Sequence, residues 1–299
     1  MNTTRPCGCK GHRSCLECEK TYKISPQNDD ILNSNLKKFV YCPYCNLCYE
    51  NSDPESYKNH PNHQTDLFKF DGIYIQLNFL TDREHDELIK GIDSMPWDAS
   101  QSGRRKQNFG PKCNFKQRKL RLGDFNGFPE FTKVVQEKFK TLAILENFQT
   151  IEQCSLEYDP FRGASIEPHV DDCWIWGERI VTVNLLSDSV LTLTPNRHPN
   201  RYNLDLVPTY PKVIQSDGVD EIRNGIILVP MPNKSLIVMY GRARYDYEHR
   251  ILRDDIQKRR VCLAYREFTP MYLSGGESEE EGKIVTKKAL QFFQCKFSQ

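Results

Sequence analysis

The strongest pattern in this chain lies in three short stretches, PHVDD (168–172), EHRI (248–251) and RRVCLAYRE (259–267). The first places His169 and Asp171 two residues apart, and His249 follows far downstream. Because side chains alternate along an extended strand, His169 and Asp171 point the same way and can reach one metal ion. We therefore expect His249 to come from a neighbouring strand of the same barrel and to complete a set of three ligands.

Two histidines and one carboxylate predict an Fe(II) site. On one face of the ion they leave three positions open, as in the 2-His-1-carboxylate oxygenases. Arg260 can bind a carboxylate through two parallel hydrogen bonds, which suits the far carboxylate of 2-oxoglutarate. An isolated H-x-D is a weak signal, since such triplets also occur as polar strand ends. The order H-x-D, distant His, then R-x5-R favours the functional interpretation.

The chain resembles the AlkB-like family of Fe(II)- and 2-oxoglutarate-dependent dioxygenases, and most closely its alkB homolog four subgroup. The resemblance covers roughly residues 70–268. It rests on SGRRKQNFGPK (102–112), EQCSLEYDP (152–160), IEPHVDDCWIWGERIVTVNLLS (166–187) and RRVCLAYRE (259–267). The cysteine-rich start CGCKGHRSCLEC (7–18) also looks like that subgroup.

This resemblance implies roles for individual residues. The iron ligands would be His169, Asp171 and His249. The groups that hold 2-oxoglutarate would be Arg260 at its C5 carboxylate, Tyr158 through its hydroxyl, and Arg266 near its other end. Members of the family that repair nucleobases often carry an acid two residues after the ligand aspartate, whereas this chain has Cys173.

The resemblance also implies a reaction with Fe(II), 2-oxoglutarate and O2. Oxidative decarboxylation yields succinate and CO2 while an N-methyl group is oxidised, and the hydroxymethyl product breaks down to formaldehyde and the free amine. The substrate candidates are methyl-lysine in protein, which Cys173 favours, and N6-methyladenine in DNA. The alternative is a zinc-stapled adaptor whose dioxygenase core has little turnover. The complete set of five site groups counts against that alternative.

A basic segment lies between Asp98 and Asp124, with eight Lys and Arg residues and no acid. By the family resemblance it is a hairpin, at about residues 100–122, that forms a lid over the active site. Basic charge with interleaved aromatic rings suits nucleic acid but also an acidic protein surface. The predicted substrate contacts are Arg104, Arg105, Lys106 and Phe109, together with Trp174 as a wall of the pocket.

The N-terminal segment, residues 1–66, is polar and holds seven of the twelve cysteines. Their close spacing, without a secretion signal, predicts metal thiolates in a reducing compartment, hence cytoplasm or nucleus. Tetrahedral zinc needs four ligands, and one site is predicted from Cys7, Cys9, Cys15 and Cys18. A second group, Cys42, Cys45 and Cys48 with His60 or His63, either makes another site or replaces part of the first.

The remaining pattern predicts a mainly β protein with flanking helices, a double-stranded β-helix or jelly roll. The dioxygenase domain is predicted at residues 67–273, with a polar insertion at 196–224. An acidic linker and a helix follow at 274–299, where Ile284, Ala289, Leu290 and Phe293 would dock. The net charge of +1 says nothing about partners, and no apolar run approaches the ~20 residues of a membrane span. The sequence gives no indication of oligomeric state.

Overall fold

The computed structural model describes residues 4–24, 35–214 and 225–294. The strands are β1 (Lys38–Cys42), β2 (Leu47–Glu50), β3 (Leu67–Phe68), β4 (Ile73–Gln76), β5 (Asp98–Ala99), β6 (Arg105–Phe109), β7 (Lys112–Asn114), β8 (Lys119–Arg121), β9 (Phe128–Pro129), β10 (Glu152–Tyr158), β11 (Ile166–His169), β12 (Trp176–Leu185), β13 (Ser189–Pro195), β14 (Ile226–Met231), β15 (Leu236–Met239), β16 (Tyr247–Ile251), β17 (Arg260–Phe268) and β18 (Phe292–Phe293). The α-helices are α1 (Leu16–Tyr22), α2 (Asp82–Asp93), α3 (Lys133–Phe139), α4 (Gly241–Tyr245) and α5 (Glu279–Ala289).

Two seven-stranded sheets form the body of the molecule. Both have the same number of strands, but one has longer strands; this larger sheet has the order β4-β15-β12-β17-β10-β6-β5, and the other, the smaller sheet, has the order β11-β16-β13-β14-β1-β2-β3. Strands β10 to β17 are divided between the two sheets and pair antiparallel within each. This is the double-stranded β-helix, so the predicted jelly roll is confirmed.

Strand alternation explains how the larger sheet packs on both faces. On β12, Ile180 joins the core between the sheets, whereas Val181 joins a second core under the helices α2 and α3. Both faces are therefore apolar, as expected for a sheet covered on each side. Helix α2 begins at a capping box, in which Thr81 and Glu84 bond each other's backbone N–H.

The predicted boundary at residue 66 is corrected by the smaller sheet. Strand β1 pairs in parallel with β14 and antiparallel with β2. Phe39 and Tyr41 of β1 lie buried in the main core. The reason is the run KFVYC, whose last four residues are buried and extend the jelly roll. Within the described residues before β1, the first cysteine cluster, with helix α1, lies outside the two sheets.

Helix α5 packs on the body of the protein through a face that includes the predicted Ala289 but not Ile284 or Leu290. Val285 and Ala289, one turn apart, are buried, whereas Ile284 and Leu290 are largely exposed. Beyond the helix, β18 pairs in parallel with β9. Among the described residues, no helix is long and apolar enough to cross a membrane.

Candidate active site

His169, Asp171 and His249 meet at the end of the smaller sheet. His169 closes β11 and lies directly opposite His249 on β16, with 4.2 Å between the ring centroids. Asp171 follows two residues later, and its Oδ2 lies 3.7 Å from Nε2 of His249. One ligand atom from each of the three residues lies within 4.8 Å of the others. The predicted triplet is thus brought together by neighbouring strands.

The protonation states of these groups suit a metal. Nδ1 of His169 donates to the carbonyl of Glu167 at 2.8 Å, which leaves Nε2 as a free lone pair. Burial lowers the pKa of His169 and lowers that of His249 further, so both imidazoles are neutral. Burial alone would raise the pKa of Asp171, but the cationic groups around it, Arg266 foremost, together outweigh burial and hold that pKa below its usual range. Two neutral imidazoles and one carboxylate are the donor set that Fe(II) takes.

Arg266 bonds one carboxylate oxygen of Asp171 and not the other. Its Nε and Nη2 lie 3.0 and 2.9 Å from Oδ1, while Nη1 donates to Glu152 at 2.6 Å. Oδ2 of Asp171 is buried without a hydrogen-bond partner among the described residues. An unpaired buried carboxylate oxygen is costly unless a cation binds it. This orphaned oxygen, aimed at the histidines, is the observation that fits an iron ion.

A second buried arginine, Arg260, begins β17 of the larger sheet. Arg260 donates from Nε to Asn184 at 2.7 Å, and its guanidinium lies 4.8 Å from the Tyr158 ring. Tyr158 is its cross-strand partner on β10. Nη1 of Arg260 is buried and has no partner within the described part of the chain. This N–H is a donor that lacks an acceptor, as expected of a subsite for the carboxylate of a bound 2-oxoglutarate.

The basic segment divides between two faces of the larger sheet. On β6, Lys106 pairs with Leu156 of β10, on the face that carries Tyr158. Arg104 approaches the same face, 5.9 Å from the Tyr158 ring. Arg105 lies on the other face and is held by Glu157 at 2.5 and 2.8 Å. Arg104 and Lys106 therefore stay substrate candidates, and the assignment of Arg105 is corrected.

Phe109 and Trp174 also differ from the expected substrate contacts. Phe109 packs against Phe293 of the C-terminal strand, with 6.1 Å between ring centroids. Trp174 is fully buried, and Phe115 of the β7–β8 hairpin lies edge-on at 6.3 Å. Phe115 is 50% exposed, so it is Phe115 that presents an aromatic face to the outside. The hairpin itself is the shorter segment 112–121, in which β7 pairs with β8; its role as a lid stays a prediction.

Sequence reasoning missed the contacts made by the polar insertion. Its described part, 196–214, lies against the residues that follow Asp171. Asn203 bonds Asp172, and the Tyr210 hydroxyl donates to the Cys173 carbonyl at 3.1 Å. Tyrosine and asparagine are common in loops, so the sequence of this insertion does not distinguish it from an ordinary loop. The rest of the predicted insertion, 215–224, lies outside the described residues.

The first cysteine cluster packs on the same region. The sulfurs of Cys7, Cys9, Cys15 and Cys18 lie within 4.8 Å of one another, which brings together the four predicted zinc ligands. Nearby, Arg13 pairs with Glu167 at 2.5 Å, two residues before His169. On the other side, Glu19 of α1 pairs with Arg253 through two hydrogen bonds. This knuckle, residues 4–24, is thus docked against the strand that carries His169.

Three relatives are similar in sequence to this chain over nearly their whole length. The alpha-ketoglutarate-dependent dioxygenase alkB homolog 4 of Mus musculus is 37% identical over 300 residues, covering 98% of this chain and 96% of that protein. Its Homo sapiens counterpart is 36% identical over 296 residues, covering 96% and 94%. A Caenorhabditis elegans protein named DNA N6-methyl adenine demethylase is 33% identical over 289 residues, covering 92% and 91%.

No family model matches the chain. Solved structures overlap more loosely, with a TM-score of 0.41 and 13% identity for OsALKBH1, covering 67% of this chain and 98% of that one. A Trichoplax adhaerens prolyl hydroxylase bound to a hypoxia inducible factor peptide has a TM-score of 0.43 and 12% identity, covering 71% and 86%. The three relatives define the class of this protein, which is an enzyme that uses Fe(II), 2-oxoglutarate and O2. Within that class, the chain belongs to the AlkB-like family of alpha-ketoglutarate-dependent dioxygenases.

Proposed function

We propose that this enzyme removes N-methyl groups from a methylated macromolecule, with His169, Asp171 and His249 as the iron ligands. The observation that carries the assignment is the unpaired Oδ2 of Asp171, which faces two neutral imidazoles. The overall reaction consumes O2 and 2-oxoglutarate and releases succinate, CO2 and formaldehyde. A zinc-stapled adaptor is not favoured, because the relatives are named as dioxygenases and a demethylase.

Two arginines of the chain have separate tasks in this reaction. When bound, iron and 2-oxoglutarate supply the oxidation that converts an N-methyl group to N-hydroxymethyl. Arg260 holds the C5 carboxylate through its unpaired Nη1, beside the Tyr158 ring. Arg266 fixes one oxygen of Asp171 and so orients the other. The hydroxymethyl product then breaks down to formaldehyde and the free amine without further help from the protein.

N6-methyladenine in DNA is the substrate we favour. The hairpin beside the site exposes Lys112, Lys116, Arg118, Lys119 and Arg121. Basic charge that tracks phosphates and an aromatic ring that stacks on a base are the two elements of single-strand binding. Phe115, half exposed at the hairpin tip, provides such a ring. The C. elegans relative named for this substrate gives independent support.

Methyl-lysine in protein is the second candidate, because Cys173 stands where nucleobase-repair enzymes often carry an acid. The Cys173 thiol is buried, and its Sγ lies 3.5 Å from the Asp171 carbonyl. It therefore offers no charged group to read a base edge. We also propose a cytoplasmic or nuclear location, because metal-binding thiolates are favoured in a reducing compartment.

The test compares both substrate classes side by side. Single-stranded DNA carrying one N6-methyladenine and peptides carrying methyl-lysine are incubated with enzyme, iron and 2-oxoglutarate, and mass spectrometry follows methyl loss. We expect methyl loss from DNA with stoichiometric formaldehyde. Methyl loss from peptide alone would replace the DNA proposal, and succinate without methyl loss from either would refute the demethylase.

A charge reversal in the hairpin tests how DNA is held. Arg118→Glu should weaken DNA binding and reduce its dependence on salt concentration, since one phosphate contact is lost. Lys287→Glu, an equal charge change on the exposed face of α5, serves as the control. Equal losses in the two variants would show that the hairpin has no special part in binding.

A further inference from the structure

A second group of metal-ligand atoms lies at the far edge of the smaller sheet. It consists of Cys42, Cys45, His60 and His63, whose ligand atoms lie within 4.8 Å of one another. Cys42 ends β1, and Cys45 lies in the turn to β2. The two histidines lie after the short 3-10 helix Pro54–Asn59. The group is separate from both the iron-ligand candidates and the first cysteine cluster.

The spacings within this group match a tetrahedron around zinc. With Zn–S of about 2.3 Å and Zn–N of about 2.05 Å, tetrahedral edges are about 3.6 Å for S···N and about 3.4 Å for N···N. Cys42 Sγ lies 3.6 Å from His60 Nδ1, and Cys45 Sγ lies 3.7 Å from His63 Nε2. The two imidazole nitrogens are 3.3 Å apart. All three measured distances agree with the expected edges.

The surrounding chain holds the four ligands in place. Asn46 has a φ of 59°, and its N–H bonds the Cys42 carbonyl at 2.9 Å, which folds the C-x2-C turn back on itself. The Tyr44 ring stacks on His60 at 5.2 Å, and the Tyr49 ring contacts His63 at 4.3 Å. Rotation of both imidazoles is therefore restricted before any ion binds.

We propose that Cys42, Cys45, His60 and His63 bind a structural zinc ion, independent of the one predicted for the first cysteine cluster. Two thiolates and two imidazoles in a tetrahedron are a closed zinc site, without an open position for catalysis. Cys48, the third cysteine of this region, is buried in the main core and does not belong to the group. The site resembles a small zinc finger fused to the edge of a catalytic sheet.

The place of this zinc in the fold gives it a mechanical role. It clamps β1 and β2 to the helix Pro54–Asn59, and β1 pairs with β14. β14 pairs with β13, which in turn pairs with β16, the strand of His249. The ion therefore stabilises the edge of the sheet to which an iron-ligand candidate belongs, and it contacts no part of the active site.

The wild-type protein provides a test that needs no substitution. Metal analysis of the reduced, full-length protein should give two zinc ions per chain in addition to iron. X-ray absorption at the zinc edge should show on average three sulfurs and one nitrogen per ion, because one site has four thiolates and the other has two thiolates and two imidazoles. One zinc per chain with sulfur ligands alone would overturn the proposal.

Matched variants identify the ligands. His60→Asn and His63→Asn should each lose one equivalent of zinc while the first cluster keeps its own. Cys48→Ser is the control, since it removes a neighbouring thiol that lies outside the group. Should a histidine variant fold poorly, absorption by Co(II)-loaded wild type still separates a four-thiolate site from a two-thiolate site. Retention of two zinc ions by both histidine variants, or loss of one by Cys48→Ser, would refute the ligand set.

Discussion

At the scale of single residues, the active site depends on which atoms already have partners. Arg266 occupies Oδ1 of Asp171 and leaves Oδ2 unpaired, and Arg260 keeps one buried N–H unpaired among the described residues. Under the proposed function, the two arginines of the R-x5-R pattern therefore have different roles. Arg266 would orient a metal ligand, and Arg260 would bind a carboxylate of 2-oxoglutarate.

Alanine substitution of His169, Asp171 or His249 should abolish demethylation and leave the fold intact. Each residue supplies one of only three protein ligands, whereas the apolar cores on both faces of the sheet are untouched. Circular dichroism and a coupled succinate assay make the comparison. Full activity in any of the three variants would show that the metal is held elsewhere.

Arg260→Ala should weaken 2-oxoglutarate binding roughly 10- to 100-fold, as loss of a charge-assisted hydrogen bond of about 1.5–3 kcal/mol implies. Arg260→Lys keeps the charge but not the paired geometry, so we expect an intermediate affinity. Calorimetric titration of the iron-loaded protein with 2-oxoglutarate measures both. An unchanged affinity in the alanine variant would remove Arg260 from the pocket.

Arg266→Ala should instead act on the metal. Residues that orient a ligand typically change metal affinity about 10- to 100-fold, and here the substitution also leaves Glu152 and Asp171 facing each other without a cation. Iron affinity should therefore fall more than 2-oxoglutarate affinity measured at saturating iron. The reverse order of effects would assign Arg266 to the co-substrate.

At the scale of elements, an ion cluster fastens β6, the strand next to the edge of the larger sheet, to its neighbours. Glu157 of β10 is almost fully buried and is bonded by Arg105, Arg162 and Arg259. Burial alone would raise the pKa of Glu157, but the three guanidinium groups outweigh it and lower the pKa to about 2. The cluster thus carries a stabilising negative charge at neutral pH.

This cluster predicts how stability depends on pH. Because the folded pKa of Glu157 lies below its ordinary value of 4.5, its contribution is complete above pH 4.5 and is lost as pH falls towards 2. Glu157→Gln should lower the free energy of unfolding at pH 7 by about 1–3 kcal/mol and flatten that acid-side loss. Denaturant unfolding at several pH values measures it, with Glu146→Gln, an exposed carboxylate, as the control. Parallel pH profiles in wild type and Glu157→Gln would contradict the account.

Sequence reasoning succeeded where the pattern is local and failed where distant strands meet. Alternation along the strand predicted that His169 and Asp171 reach one point, and the structure brings them together with His249. Nothing in the sequence indicates that KFVYC (38–42) pairs with a strand beginning at Ile226, since parallel partners are not joined by a recognisable turn. The same limit applies to Asn184, whose bond to Arg260 depends on two strands distant in sequence.

At the scale of the whole molecule, the N-terminal knuckle is joined to the barrel by ion pairs. Replacing Cys15 and Cys18 by Ser should release zinc and make residues 4–24 sensitive to protease. The protected segment should begin near residue 38, because β1 and β2 belong to the sheet. Limited proteolysis with mass mapping tests this boundary, and cleavage throughout residues 35–66 would contradict it.

The same variant should still decarboxylate 2-oxoglutarate, since the knuckle supplies no iron ligand. Turnover of a macromolecular substrate should fall more, because Arg13 no longer holds Glu167 beside His169. Cys113→Ser, a thiol in the lid hairpin outside both cysteine clusters, is the control. Equal losses in both assays would mean that the knuckle affects only stability.

The parallel pairing of β1 with β14 has a consequence for synthesis on the ribosome. The ligands of the proposed second zinc site, Cys42 to His63, are translated early and lie close in sequence, so zinc can bind them as soon as they emerge. Its partner strand, which begins at Ile226, is translated much later, and until then the edge of β1 has no hydrogen-bonding neighbour. Over the same interval the side chains of Phe39 and Tyr41, which belong to the main core, remain exposed to solvent. We therefore expect newly made chains to aggregate most readily before residue 226 is translated. We also expect the fraction of chains that escape aggregation to depend on the zinc concentration in the cell.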